Sequence, residues 1–125
     1  MALEPVNLSE RQSIEGYGGG GFRISGRRWQ GSVIVFPRHT IAWQVSTFAD
    51  LTIDDFNPLI DVRQSIEIVL LGCGPRIANV DVATRSTLRE HGIVIEPMDT
   101  GAACRTYGVL SDQGRQATAA LIAVE

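Results

Sequence analysis

Residues 66–71 read I-E-I-V-L-L and run straight into the turn Gly72-Cys73-Gly74-Pro75. A strand with one wet face alternates apolar and polar side chains, whereas a strand covered on both faces is apolar throughout. Only Glu67 interrupts this run. Ile68 and Leu70 are therefore expected on one face and Val69 and Leu71 on the other, all buried in the middle of an α/β sheet. Such a strand needs a layer of structure above it and another below.

The following sequence supplies candidates for those layers. Residues 81–91 read as a helix capped near Asp81 and stopped at Gly92. Ile93 to Glu96 reads as a short strand that Pro97 ends, because proline cannot donate to a ladder. Asp99 or Thr100 is placed to cap a helix over Gly101 to Asp112, where free N–H groups need acceptors. Gln116 to Val124 is alanine-rich, and its terminal Ile122 and Val124 favour a buried strand. The second half is thus β-α-β-α-β.

The first half reads as an antiparallel meander. Ile14 to Tyr17 and Phe22 to Ser25 flank a glycine run, Gly18 to Gly21. Gly31 to Phe36 is β-branched and aromatic, and Thr40 to Val45 places Ile41, Trp43 and Val45 on one face. Pro37-Arg38-His39 forms the turn between them. Arg27-Arg28-Trp29 reads as a solvated hairpin end. Residues 50–61 suit a short helix capped by Thr52 and limited by Pro58. Together the halves predict a three-layer α/β single domain with a central mixed sheet over residues 1–125, with 1–10 a flexible tail.

Composition excludes more than it selects. The chain has 125 residues, enough to bury roughly two thirds of its unfolded surface. All 11 basic residues are arginine, so no Schiff-base lysine and no Walker-type phosphate loop can exist. The missing lysine reads as the coding bias of a GC-rich, bacterial genome. A net charge of −3 argues against a nucleic-acid partner. Residues 1–15 carry Glu4, Glu10 and Glu15 and no apolar run, which does not suit a targeting signal. The longest apolar stretches are far too short to span a bilayer. These features point to a cytoplasmic protein with no integral membrane segment.

Chemistry-bearing motifs are sparse. Gly16, Gly18 and Gly21 fit a G-x-G-x-x-G spacing, but strand-like Phe22-Arg23-Ile24 follows where a dinucleotide site needs a helix. The run is expected to join two extended segments and bind no nucleotide. Cys73 and Cys104 form no CxxC pair, and with His39 and His91 they give no metal-ligand spacing. The four possible Cys–His pairings are not distinguished by sequence, and inert, buried thiols are the simpler reading. No catalytic residue, cofactor or metal site is assigned. The densest polar cluster is Glu96 to Tyr107. Candidate binding residues are Gly72, Cys73 and Gly74 at the strand end, with Asp99, Thr100, Cys104, Arg105 and Tyr107 beside it. Arg105 is expected to reach a carboxylate or a backbone carbonyl near the strand ends, since a buried guanidinium requires a partner.

The stretch E-P-M-D-T-G-A-A-C-R-T-Y, Gly114-Arg115 and A-A-L-I-A resembles the Mth-like domain family. The segments I-E-G-Y-G-G-G-G-F-R-I, W-Q-G-S-V-I-V-F-P and I-E-I-V-L-L-G-C-G match it too, in the family's order over about residues 10–124. The family includes a mitochondrial assembly factor of NADH:ubiquinone oxidoreductase. The resemblance implies a three-layer domain with a mixed five-stranded sheet and no established enzyme activity. It further implies a non-enzymatic protein-interaction module, with respiratory-complex subunits or assembly factors as partners, acting as a monomer or weak homodimer. The alternative is a small-molecule-binding protein or enzyme using a groove near Gly72, Asp99 and Arg105. Gly108 stands where Asn commonly follows the Tyr, and Cys73 where Thr commonly sits between two glycines. Cys73 is thereby a weak candidate for family-wide chemistry.

Overall fold

The apolar run becomes an interior strand of a mixed sheet. The computed structural model describes residues 11–125, so the expected tail at 1–10 lies outside the described residues. Strands β1 (Ile14–Gly18), β2 (Gly21–Ile24) and β3 (Arg27–Gln30) make one antiparallel sheet. Strands β4 (Val33–Val35), β5 (Thr40–Ala42), β6 (Ile68–Gly72), β7 (Ile95–Met98) and β8 (Ala117–Leu121) make a second, ordered β5-β4-β8-β6-β7. β6 runs parallel to both β7 and β8, and β4 is antiparallel to β8 and β5. The helices are α1 (Asn57–Ile60), α2 (Val82–Glu90) and α3 (Thr100–Asp112).

The two faces of β6 sort as the sequence requires. Val69 and Leu71 pack with Phe56, Leu59, Leu88 and Ile93. Leu70 packs on the opposite side with Phe22, Ile24, Ala103 and Tyr107, and half-buried Ile68 lies against that cluster. One outer layer is thus α3 with the three-stranded sheet. The other is built from α2 and the helical turns of residues 48–65.

β8, the middle strand, is A-T-A-A-L, a composition with little strand propensity. Its position is set by packing. Every residue is buried between β4 and β6, and small side chains there let α3 approach closely through Ala103. In the first half, the β1–β2 hairpin turns at Gly19-Gly20 and the β2–β3 hairpin at Ser25-Gly26, with positive φ at all four residues. Two-residue turns of that kind match the twist of the flanking strands.

Three expectations need correction. The first-half meander divides, with β1–β3 leaving the main sheet and β4–β5 joining it. By contrast, Arg27-Arg28-Trp29 is a solvated hairpin end as expected: it opens β3 directly after the Ser25-Gly26 turn, with Arg27 and Arg28 exposed and Arg27 4.2 Å over the half-buried Trp29 ring. Pro97 does not end a strand at Glu96, because β7 runs Ile95–Met98 with Pro97 opposite Leu71. β7 is an edge strand. The carbonyls of Val94 and Met98 accept from the Val69 and Cys73 N–H groups, and the intervening alternation turns the Pro97 nitrogen to the open edge. The predicted helix at 50–61 is two 3-10 turns leading into α1, with Thr52 heading the second and its N–H donating to Asp55 Oδ2 at 2.8 Å.

Because the α3–β8 spacing depends on small side chains, Ala119→Leu should overpack it and cost about 2–3 kcal/mol. Calorimetry should show a melting temperature lower by roughly 8–12 °C. An unchanged melting temperature would show that α3 does not sit tightly on β8.

Candidate functional site

The carboxyl ends of β6, β7 and β8 point the same way, which is where open α/β sheets form ligand crevices. Three of the candidate residues meet there with the helix start. Gly72 has no room for a side chain: a Cβ would stand 2.9 Å from Thr100 Oγ1 and 3.0 Å from both Thr100 Cα and Leu121 Cδ2. That absence lets α3 begin directly over the end of β6. Thr100 is fully buried. Its hydroxyl donates to the Ile122 carbonyl at 2.7 Å and accepts from the Gly74 N–H at 2.9 Å, while its own N–H donates to the Gly74 carbonyl. Asp99, not Thr100, is the N-cap. Its extended backbone aims Oδ1 at the Ala102 N–H, 2.8 Å away.

Both cysteines are buried and unpaired. Cys73 has only long sulfur contacts to the Leu71 and Ala78 carbonyls, and burial pushes its thiol up from the ordinary value. Burial pushes the Cys104 thiol up to about 12, the nearby Arg105 charge opposing this only in part. A nucleophilic cysteine needs the opposite shift.

The remaining candidates point elsewhere. Cys104 lies on the inner face of α3 in the Leu70 cluster. Tyr107 is buried and its hydroxyl donates to the Phe36 carbonyl at 3.3 Å, toward the far end of the sheet. Arg105 is exposed, against the expectation of a buried guanidinium, and donates to the Tyr17 hydroxyl at 3.2 Å rather than to a carboxylate or carbonyl. A Cβ on Gly101 would stand 2.6 Å from that hydroxyl, so Tyr17 lies across the glycine and joins β1 to α3. Asp99 and Arg105 therefore do not converge on the strand ends.

What the strand ends do border is an open, mainly apolar groove of about 830 Å³. Phe48, Pro75, Ile77, Ala78 and Val124 form much of its wall, with Cys73 inside and Arg76 and Glu125 as its charged residues. Ile77 is 65% exposed. Sequence reasoning missed this wall. The available signal was an isolated isoleucine in the polar loop P-R-I-A-N. Among the described residues no three His, Cys, Asp or Glu side chains gather as metal ligands, and no helix is long and apolar enough to cross a membrane.

A family profile described as "Protein of unknown function (DUF498/DUF598)" matches residues 14–122. The chain belongs to this family. It is similar to the human "NADH dehydrogenase [ubiquinone] 1 alpha subcomplex assembly factor 3", 35% identical over 122 residues. That match takes in 94% of this chain and 66% of the human protein, so the chain spans just under two thirds of that relative's length. An uncharacterised Rhodobacter capsulatus protein is 32% identical, with 98% of this chain and 93% of that protein aligned. Among solved structures, a Bartonella henselae chain described as an outer membrane protein superposes with a TM-score of 0.86 at 32% identity, covering 94% of this chain and 99% of that one. A Bordetella pertussis Mth938-like domain shares the fold, with a TM-score of 0.78 at 24% identity over 91% of this chain and 87% of the other.

The buried ionisable groups give this chain a testable alkaline limit. Burial raises Tyr107 to about 12 as well as Cys104 to about 12, against 10.0 and 9.0 ordinarily. As pH rises past 9 the unfolded chain loses these protons while the folded chain keeps them, so stability must fall with pH from there to about 12. Urea midpoints should be flat from pH 7 to roughly 8.5 and then decline, and Cys104→Ala should flatten the onset of the decline. A midpoint that rises above pH 9 would contradict the assignment.

Proposed function

We propose that the domain is a non-enzymatic protein-binding module that helps assemble a respiratory complex, docking an apolar segment of a partner subunit in the groove beside Cys73–Ala78. The observation that carries this is similarity over 94% of the chain to proteins named as assembly factors of NADH dehydrogenase. The partners are accordingly subunits of that enzyme or of its bacterial counterpart. The groove suits the role because it is open and apolar, and an exposed isoleucine beside it is the kind of surface that docking covers. Two unpaired, buried thiols suit a reducing compartment, which supports a cytoplasmic location.

The alternative, ligand binding or catalysis by Gly72, Asp99 and Arg105, has less support. Asp99 spends its carboxylate on the helix start and Arg105 faces Tyr17. The raised thiols offer no ready nucleophile.

Ile77→Asp tests the docking surface. Such an exposed change should alter stability by no more than about 0.5 kcal/mol. Tagged wild type captured from its native host should bring down identified NADH dehydrogenase subunits, and Ile77→Asp should lose them. Equal capture by both proteins would move the docking surface elsewhere; no respiratory subunit with either would contradict the assembly role.

A further inference from the structure

Four strands lie at sheet edges: β1 and β3 in the small sheet, β5 and β7 in the large one. An open edge presents unpaired N–H and C=O groups with which another chain can pair, and native proteins guard it with charges, proline or a covering element. Three of the four are guarded. β7 carries Glu96 and Pro97, β3 carries Arg27 and Arg28, and β1 carries Glu15 and lies against α3 through Tyr17. β5 and the chain that continues it, residues 40–46, read T-I-A-W-Q-V-S, with no charge and no proline.

The ladder fixes which groups of this edge face outward. The Phe36 N–H donates to the His39 carbonyl and the Trp43 N–H to the Ser32 carbonyl, so His39, Ile41 and Trp43 turn their main-chain groups to β4. Antiparallel alternation then turns those of Thr40, Ala42, Gln44 and Ser46 to the open side. The chain stays extended past the last rung, since Ala42, Gln44 and Ser46 are exposed while Trp43 and Val45 between them are buried. Among the described residues nothing bonds the main chain of Gln44 or Ser46. The buried face pins the edge: Trp43 and Val45 pack with Phe56, and Trp43 Nε1 donates to the Asp55 carbonyl at 2.8 Å. A cavity of about 520 Å³ borders Ala42 to Ser46 together with Gln30 and Ser32, leaving room for added side chains.

We propose that β5 receives an extended segment of the partner protein as a sixth strand, paired through the outward groups of Thr40, Ala42, Gln44 and Ser46. This rests on the docking role proposed above and names the conformation of the docked segment. The occupant is a foreign strand rather than a second copy of this chain. Residues 40–46 span about 23 Å, and among their exposed side chains only Ala42 is apolar, so two such edges would bury far less than the roughly 1,000 Å² of a specific interface. A partner segment gains more, because Ser46 borders both this cavity and the apolar groove at Ile77. A strand laid along β5 delivers its next residues into that groove. Main-chain pairing then supplies affinity, and an apolar side chain in the groove supplies specificity. Residues 40–46 offer no charge to pair with, so the segment is neutral and β-branched along the edge, with an apolar residue beyond it.

Gln44→Pro removes one outward donor and sets a ring on the edge without touching the β4–β5 ladder, a change that edge strands tolerate. Ala42→Lys puts a charge on the same edge through an exposed side chain. Tagged wild type, both variants and an Ala42→Thr control are captured from the native host, and NADH dehydrogenase subunits are quantified by mass spectrometry. Wild type and Ala42→Thr should recover them equally, and the two edge variants at least about tenfold less, the worth of one good hydrogen bond. In the wild-type complex the Ala42 and Gln44 amides should exchange at least about tenfold more slowly than in the free chain, while Arg27 to Gln30 at the β3 edge keep their free rates. If Gln44→Pro fails to fold, Ala42→Lys and the exchange footprint decide the matter. Undiminished capture by the edge variants, or unprotected Ala42 and Gln44 amides in the complex, would overturn strand addition. Loss of the subunits by Ile77→Asp in the same experiment would then show the docking role still standing, whereas no respiratory subunit with wild type would overturn both.

Discussion

Two hydrogen bonds through one hydroxyl hold the carboxyl end of the sheet together. Thr100 sits at the first position of α3 and joins Gly74, beyond β6, to Ile122, beyond β8. Both partners are backbone groups that would otherwise be buried without mates, each a cost of about 1–3 kcal/mol. The bonds exist because Gly72 lacks a side chain where the helix comes down. Further backbone bonds extend the same junction: the Cys73 N–H donates to Met98 and the Ile122 N–H to Gly72. All three parallel strands therefore end in one bonded knot, and the loop carrying Pro75 and Ile77 leaves from it.

This arrangement separates structural chemistry from free surface. Asp99, Thr100 and Tyr107 are polar groups of the densest sequence cluster, and each is engaged by the fold. What the fold leaves unengaged is the apolar wall of the groove with the edge of β5 that adjoins it and, at the other end, the buried Thr118 hydroxyl, without a partner among the described residues. The same sheet thus presents an apolar groove and a second cavity at opposite ends of its strands.

The legible parts of the fold were those set by local chemistry. An apolar run on both faces made β6 an interior strand, and a carboxylate before a small-residue helix made the α3 cap. Sequence left Asp99 and Thr100 as equal candidates. The structure divides their roles because a cap must have extended backbone, which Asp99 has with φ −67° and ψ 158°. The illegible parts were set by distant partners. Arg105 meets Tyr17, 88 positions away, and nothing in its own segment signals that. Pro97 looked like a strand terminator because sequence did not show that β7 is an edge. Thr118 read as an ordinary strand residue, since an orphaned hydroxyl is visible only once its surroundings are packed.

The central claim is that the Thr100 hydroxyl closes the strand ends. Amide hydrogen exchange at Gly74 measures it directly, because that N–H is bonded to Thr100 Oγ1. In the wild-type protein it should exchange only on global unfolding, with protection matching the β6 core. In Thr100→Val it should exchange through local opening, while the α2 amides keep the protection set by that variant's own global stability. Rapid exchange at Gly74 in the wild type, or protection that tracks global stability equally in both proteins, would contradict the account.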